Sequence, residues 1–148
     1  MDKIEKIEKI EWDEKLSVDI DDIDELQKKM FALFNVLIDL KANDAGAKEC
    51  SSMVAEINEY SRYYFSQEEA YLKKCGYPEV DAHAKEHRRF IKITIGLRRE
   101  VAEDKDNLSY EIIKIMRDWL VEHIINCDLL YVPFLRTSRF IKECKKNR

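Results

Sequence analysis

From Ile23 onward the chain repeats apolar side chains at alternating spacings of three and four residues. Ile23, Leu26, Met30, Leu33, Leu37 and Leu40 form one stripe, and Cys50, Met53, Ile57, Tyr60, Tyr64, Glu68, Tyr71 and Cys75 a second. His83, His87, Phe90, Thr94, Leu97 and Val101 form a third, followed by Ile112, Met116, Trp119, His123 and Cys127. This is the 3.6-residue period of a helix with one face turned inward. Thr94 fits such a face because a helical threonine can bond its hydroxyl to a carbonyl of the preceding turn. The breaks at 43–46, 76–78 and 104–107 have the length of bundle connections. The first helix is expected from about Asp22 to Ala42, opened by a capping box of Asp22 and Glu25, and Pro133 is expected to end or bend the last. Four inward stripes joined by short turns predict an all-α protein, an antiparallel four-helix bundle.

Composition agrees with this reading. Only 3 Gly and 2 Pro stand in 148 residues, 45% hydrophobic and 38% charged, too few turn-formers for many short strands. One domain is expected over 1–148, with an N-terminal arm at 1–19, the bundle at 20–131 and a basic C-terminal segment with a short helix at 132–148. The net charge of -4 argues against nucleic acid as a partner. No apolar run is long enough for a membrane span, and residues 1–14 do not resemble a signal peptide, so a cytoplasmic monomer is expected. Cys50, Cys75, Cys127 and Cys144 lack C-x-x-C spacing and are read as free thiols. Arg136, Arg139, Lys142, Lys145, Lys146 and Arg148 oppose the acid-rich stretch from Glu11 to Glu25, so the two ends are expected to attract.

The inward polar positions carry the chemistry. All three histidines, His83, His87 and His123, lie on inward stripes, as does Glu68, and Asp128 follows His123 by five residues. A lone His-x-x-x-His pair is weak, because i and i+4 are neighbours on any helix. An inward carboxylate is costly to bury unless something neutralises it. Three imidazoles and two carboxylates converging on one interior form a metal site, with iron ranked first and manganese, cobalt or zinc compatible. Five donors leave an octahedral ion one open position. An ideal α-helix would turn Asp128 away from His123, so a π-bulge or early unwinding is required between them. Cys127 could offer a thiolate if the last helix rotated, but a small core residue is its commoner role. Tyr60, Tyr63, Tyr71 and Tyr131 fall near the same region, to pack or to carry electrons.

These landmarks resemble the hemerythrins, particularly the bacterial hemerythrin-like proteins, over nearly the whole chain. The resemblance rests on Trp12, the segments 16–20 and 23–31, Tyr60 through Glu69, Tyr77-Pro78, His83, His87, Trp119 through His123, and Asp128. It implies a four-helix bundle around two non-heme irons held by five histidines and bridged by a glutamate and an aspartate. His83, His87 and His123 correspond to the three-histidine iron's ligands, and Glu68 and Asp128 to the bridging carboxylates. Gln27 and Tyr64 stand where the family has its other two histidines, on the iron that binds dioxygen.

Two readings follow. Either the second metal is lost, with Gln27 and Tyr64 hydrogen-bonding to Glu68 or Asp128, or both become ligands of a harder, oxygen-rich second site. The first ranks ahead, giving one iron with two as the alternative. The expected role is a metal-binding protein that senses or handles oxygen, peroxide, nitric oxide or iron, its partner a small diatomic or peroxide ligand. An oxidase or peroxidase using Tyr64 ranks second, and oxygen storage last.

Overall fold

The computed structural model describes residues 7–103 and 110–146, and within them the side chains other than those at 47, 97, 98, 100–103, 110, 112 and 146. Helix α1 spans Asp21–Ala42, α2 Ala47–Lys74, α3 Val80–Glu103, α4 Tyr110–His123 and α5 Leu129–Lys146, with a π-helical turn over Ile124–Asp128 joining the last two. His123 and Leu129 both keep right-handed helical dihedrals, so α4, the π turn and α5 form one continuous rod. Helix α1 packs on α2, α2 on α3, α3 on α4 and α4 on α1, closing a four-helix bundle without strands among the described residues. The expected break at 104–107 and the side chains of Leu97, Val101 and Ile112 lie outside what is described.

The inward stripes account for part of the buried surface. Ile23, Met30, Leu37, Cys50, Ile57, Phe90 and Met116 are buried as their spacing requires, while Leu26, Leu33, Leu40 and Met53 lie half-buried at helix seams. Phe31, Phe34, Ile38, Val54, Phe65, Leu72, Ile113 and Leu120 widen the core beyond those stripes. A helix facing a bundle interior presents an apolar arc of more than about 100°, wider than a single alternating row. Thr94 is buried with its hydroxyl donating to the Ile91 carbonyl at 2.7 Å and accepting from the Asn58 amide.

Two connections have the same backbone solution. After α2, the Gly76 amide donates to Lys73 O and the Tyr77 amide to Leu72 O, a Schellman closure, with Gly76 at φ 74. A left-handed residue here suits glycine, which lacks the Cβ that penalises it. After α1, Asp44 takes that role at φ 52, with the Ala45 amide on Leu40 O.

The start of α1 departs from the expected capping box. Ile20 precedes the helix without a side-chain cap, and Glu25 is exposed and paired with Lys28. Asp24 does the tethering instead: it is 7% exposed and accepts from the Ser17 hydroxyl at 2.5 Å and the Val18 amide at 2.9 Å. Asp24 lies on the inward side of the first turn, so it reaches back to the arm, whereas the sequence spacing of Asp22 and Glu25 matches only a local cap. Asp24→Ala is expected to destabilise the chain by about 2 kcal/mol, since hydrogen bonds to a charged acceptor contribute roughly 1.5–3 kcal/mol. Urea unfolding of the variant beside Asp22→Ala, which should stay within about 0.5 kcal/mol of the parent, checks this.

The arm is fixed at other points as well. Ile10 and Asn35 exchange two hydrogen bonds of 2.7 and 2.8 Å, and Ile10, Val18 and Ile20 are buried. Asp19 accepts from Arg136, including a 2.7 Å bond from Nε, and its carbonyl accepts from Arg139 at 3.1 Å. The last helix also continues through Pro133 rather than ending there. Pro133 is exposed and follows a π turn, where the hydrogen-bond ladder has already left α register, so its missing donor disturbs little more.

Candidate metal centre

Three of the four rods of the bundle, all but α1, send polar side chains to a common point inside. Glu68 comes from the last quarter of α2, His83 and His87 from successive turns of α3, His123 from the end of α4, and Asp128 from the end of the π turn. All five are buried, and one ligand-type atom from each lies within 4.8 Å of every other. On an α-helix five residues would separate His123 and Asp128 by about 140°. The i→i+5 turn removes that separation, and Asp128 Oδ1 lies 3.0 Å from His123 Nε2.

Spacing within the cluster tests whether a cation fits. His83 Nε2 lies 2.7 Å from Glu68 Oε1 and 3.0 Å from Asp128 Oδ1, and His87 Nε2 lies 3.0 Å from Glu68 Oε1. Adjacent donors of a six-coordinate ion with bonds of ~2.1 Å stand ~3.0 Å apart, so these separations suit one. Hydrogen bonding alone leaves the set unsatisfied: His87 Nε2, both His123 nitrogens and both Asp128 oxygens are buried without a partner of hydrogen-bond geometry among the described residues. Orphaned buried polar atoms are costly, and their convergence is what a cation would resolve.

The metal-free cluster holds itself together by charge. Burial alone would push the His83 ring toward neutrality, but Asp128 and Glu68 outweigh it and raise its pKa to about 10. His87 moves upward too, burial being outweighed by Glu68 and Glu69. Burial would protonate Asp128 and Glu68, yet both are driven below the usual carboxylate range, Asp128 by His123 and His83, and Glu68 by His83 and His87.

Residues outside the five shape the site in ways the spacing did not reveal. Glu69 Oε2 lies 2.8 Å from His87 Nδ1, which leaves Nε2 facing the cluster. The Tyr131 hydroxyl donates to Glu68 Oε2 at 3.0 Å, so this tyrosine does more than pack. Phe65 stacks on His87 at 3.9 Å between ring centroids, and Trp119 on His123 at 4.6 Å. Glu69 lies one residue off the inward stripe and had no periodic signal. Tyr131 becomes legible only once the π turn resets the helical phase, which brings the third residue after Asp128 inward.

Gln27 and Tyr64 are fully buried beside these five, at 0% and 1% exposure, but do not join them. Gln27 Oε1 accepts from the Trp12 indole, over which the Lys28 ammonium sits 4.4 Å from the ring centroid. Neither Gln27 nor Tyr64 hydrogen-bonds to Glu68 or Asp128 among the described residues, so the hydrogen bonds expected with loss of the second metal are not formed. Their bulk fills the space instead. Burial first, then Glu68 and Asp128, pushes the Tyr64 phenol well above its ordinary range. Cys127 stays outside the cluster, half-buried, its thiol raised by burial and by Asp128. No helix among the described residues is long and apolar enough to cross a membrane.

Comparison with known proteins agrees with this architecture. Residues 18–135 match the model of the Hemerythrin HHE cation binding domain. The chain is 30% identical over 125 residues to the bacteriohemerythrin of Clostridium acetobutylicum, covering 82% of this chain and 97% of that one. It is 30% identical over 124 residues to the myohemerythrin of Theromyzon tessulatum, covering 84% and 92%. A wild-type hemerythrin crystal structure superposes with a TM-score of 0.76 at 26% identity, over 84% of this chain and 95% of that one.

Proposed function

Because the chain belongs to the hemerythrin family, we propose that it holds one iron ion among Glu68, His83, His87, His123 and Asp128 and responds there to a small ligand such as oxygen, peroxide or nitric oxide. The carrying observation is the convergence of five buried donor residues, three of which, His87, His123 and Asp128, hold cluster-facing atoms without a hydrogen-bond partner among the described residues. An iron bound there would supply a Lewis-acidic, redox-active centre with one position open to such a ligand.

The chain's own groups favour one ion over two. A neutral amide offers a metal only its oxygen, and Gln27 Oε1 is already engaged by the Trp12 indole. Tyr64 would have to ionise to ligate well, against burial and two neighbouring carboxylates. On the other side the imidazoles are well oriented: Glu69 fixes the His87 tautomer, Phe65 and Trp119 hold two rings by stacking, and Tyr131 restrains Glu68. Elemental analysis of protein purified without added metal or affinity tag, with a visible spectrum, tests the proposal. One iron per chain and no phenolate band is the expected result; two metals with such a band would make Tyr64 a ligand and sink it.

A second experiment approaches the same question from the other direction. Gln27→His with Tyr64→His should raise metal content from one toward two per chain, because two imidazoles would replace the amide and phenol that fill the space beside Glu68 and Asp128. Metal content fixed at one would mean that the remaining bulk on this side, Trp12 included, excludes an ion.

Peroxide turnover is a second reading, favoured by one observation: Tyr64, Tyr60 and Tyr63 form a ladder of rings from beside the cluster to the surface.

A further inference from the structure

Tyr60, Tyr63 and Tyr64 lie on one stretch of α2, but their environments grade from interior to surface. Tyr64 is 1% exposed one turn before Glu68, Tyr60 is half-buried with its hydroxyl donating to the Leu26 carbonyl at 2.7 Å, and Tyr63 is 54% exposed. Ring centroids are 6.4 Å apart between Tyr64 and Tyr60 and 6.3 Å between Tyr60 and Tyr63. Helical spacing alone makes such residues neighbours. It does not account for what lies at the outer end, a surface groove of about 290 Å³ between α1 and α2, lined by Lys29, Leu33, Glu56, Glu59, Tyr60 and Tyr63. The outer rung is thus an accessible phenol at the edge of a cleft large enough for a small aromatic molecule. The Lys29 ammonium lies over the Tyr60 ring, 5.2 Å from its centroid, so the cleft offers the exposed Tyr63 ring to stack on, with the ammonium and the Glu56 and Glu59 carboxylates as hydrogen-bond partners for a phenol hydroxyl.

We propose that this groove receives a small phenolic one-electron donor, and that Tyr63, Tyr60 and Tyr64 conduct its electrons to the buried centre when peroxide is the oxidant there. The proposal rests on the reading of the cluster as an iron site. Tyr60 cannot give its proton to the Leu26 carbonyl, so it serves as a bridge between the other two rings, and Tyr63, open to water, is the rung that is oxidised. Each turn of the relay takes one electron from Tyr63, whose phenolic proton passes to water; a donor in the groove returns one electron and one proton. Two donors therefore supply the two electrons and two protons that reduce one hydrogen peroxide to two waters, and each donor leaves as a phenoxyl radical. Without a donor, oxidised Tyr63 rings of two chains couple: each ring loses one hydrogen, one carbon–carbon bond forms, and one peroxide again becomes two waters.

That balance gives the test. Iron-loaded full-length protein, with iron per chain measured on the same sample, is treated with stoichiometric hydrogen peroxide in the absence of reductant, and the products are mapped by dityrosine fluorescence and peptide mass spectrometry. The expected product is a covalent dimer joined Tyr63 to Tyr63. It should be lost in Tyr63→Phe, retained in Tyr71→Phe, absent from metal-free protein and suppressed by hydroquinone. Cross-links scattered over other tyrosines, an unchanged dimer yield in Tyr63→Phe, or equal cross-linking of metal-free protein would overturn the relay while leaving the iron site intact. Protein that retains no iron would instead remove the reading of the cluster, and the relay with it.

Discussion

His87→Ala is expected to leave the chain without retained metal after gel filtration, where the parent keeps one ion. His87 contributes one of five converging donors, and its ring is the one fixed on both sides, by Glu69 at Nδ1 and by Phe65 stacked at 3.9 Å. Losing an outer partner of a metal ligand typically lowers affinity ~10–100-fold, and losing the ligand itself should exceed that. The substitution also opens a cavity against Phe65, so some destabilisation accompanies it. Glu69→Gln separates the two effects: the ring stays, its charged partner goes, and affinity should fall only within the outer-partner range. Full metal retention by His87→Ala in a folded protein would remove His87 from the ligand set.

Chelation is expected to lower the melting temperature by about 10 °C. Metal present at a thousand times its dissociation constant stabilises by ~4 kcal/mol. For a domain of this size 1 kcal/mol corresponds to roughly 2–4 °C. The metal-free chain should still fold, since Met30, Phe34, Leu37, Ile57, Leu72, Phe90, Ile113, Met116 and Leu120 form a core that does not depend on the centre. An unchanged melting temperature on complete removal of metal would contradict the site.

The effect of chelation should also depend on pH. In the metal-free chain Asp128 and Glu68 push the His83 pKa up to about 10 against the effect of burial. Its unfolded value is ~6.5, so its stabilisation is complete below pH ~6.5 and is lost as pH rises toward the folded value. Glu68 and Asp128 are lowered, so theirs is present above the unfolded carboxylate range of ~4 and is lost as pH falls. Metal-free protein should therefore be most stable between pH ~5 and ~6.5. Metal binding needs neutral imidazoles and carboxylates, so it gains affinity as pH rises. The gap in melting temperature between loaded and stripped protein should widen from pH 6 to pH 8, as paired scans would record.

Much of this arrangement was legible in the order of residues because a helix converts spacing into direction. Glu68, His83, His87 and His123 fall on stripes with core residues and are buried with them. Asp128 did not fit, and its misfit was informative: a carboxylate five residues after an inward histidine requires a π turn, and one spans Ile124–Asp128. Gln27 and Tyr64 were recognisable only by resemblance, because nothing in a helical period distinguishes an absent ligand from a core residue.

The chain's periodicity by itself determined four helices, their inward faces, and the donor types available to a cation, since these depend on local geometry repeated every 3.6 residues. Tertiary structure alone decided which partners those side chains meet across helices: the Trp12 indole on Gln27, Tyr131 on Glu68, Glu69 on His87, and Asp24 turned back to Ser17 and Val18. Such contacts depend on the rotation and axial offset of one rod against another. Those are set by the packing of the whole core, and a periodic pattern along a single segment carries no record of them.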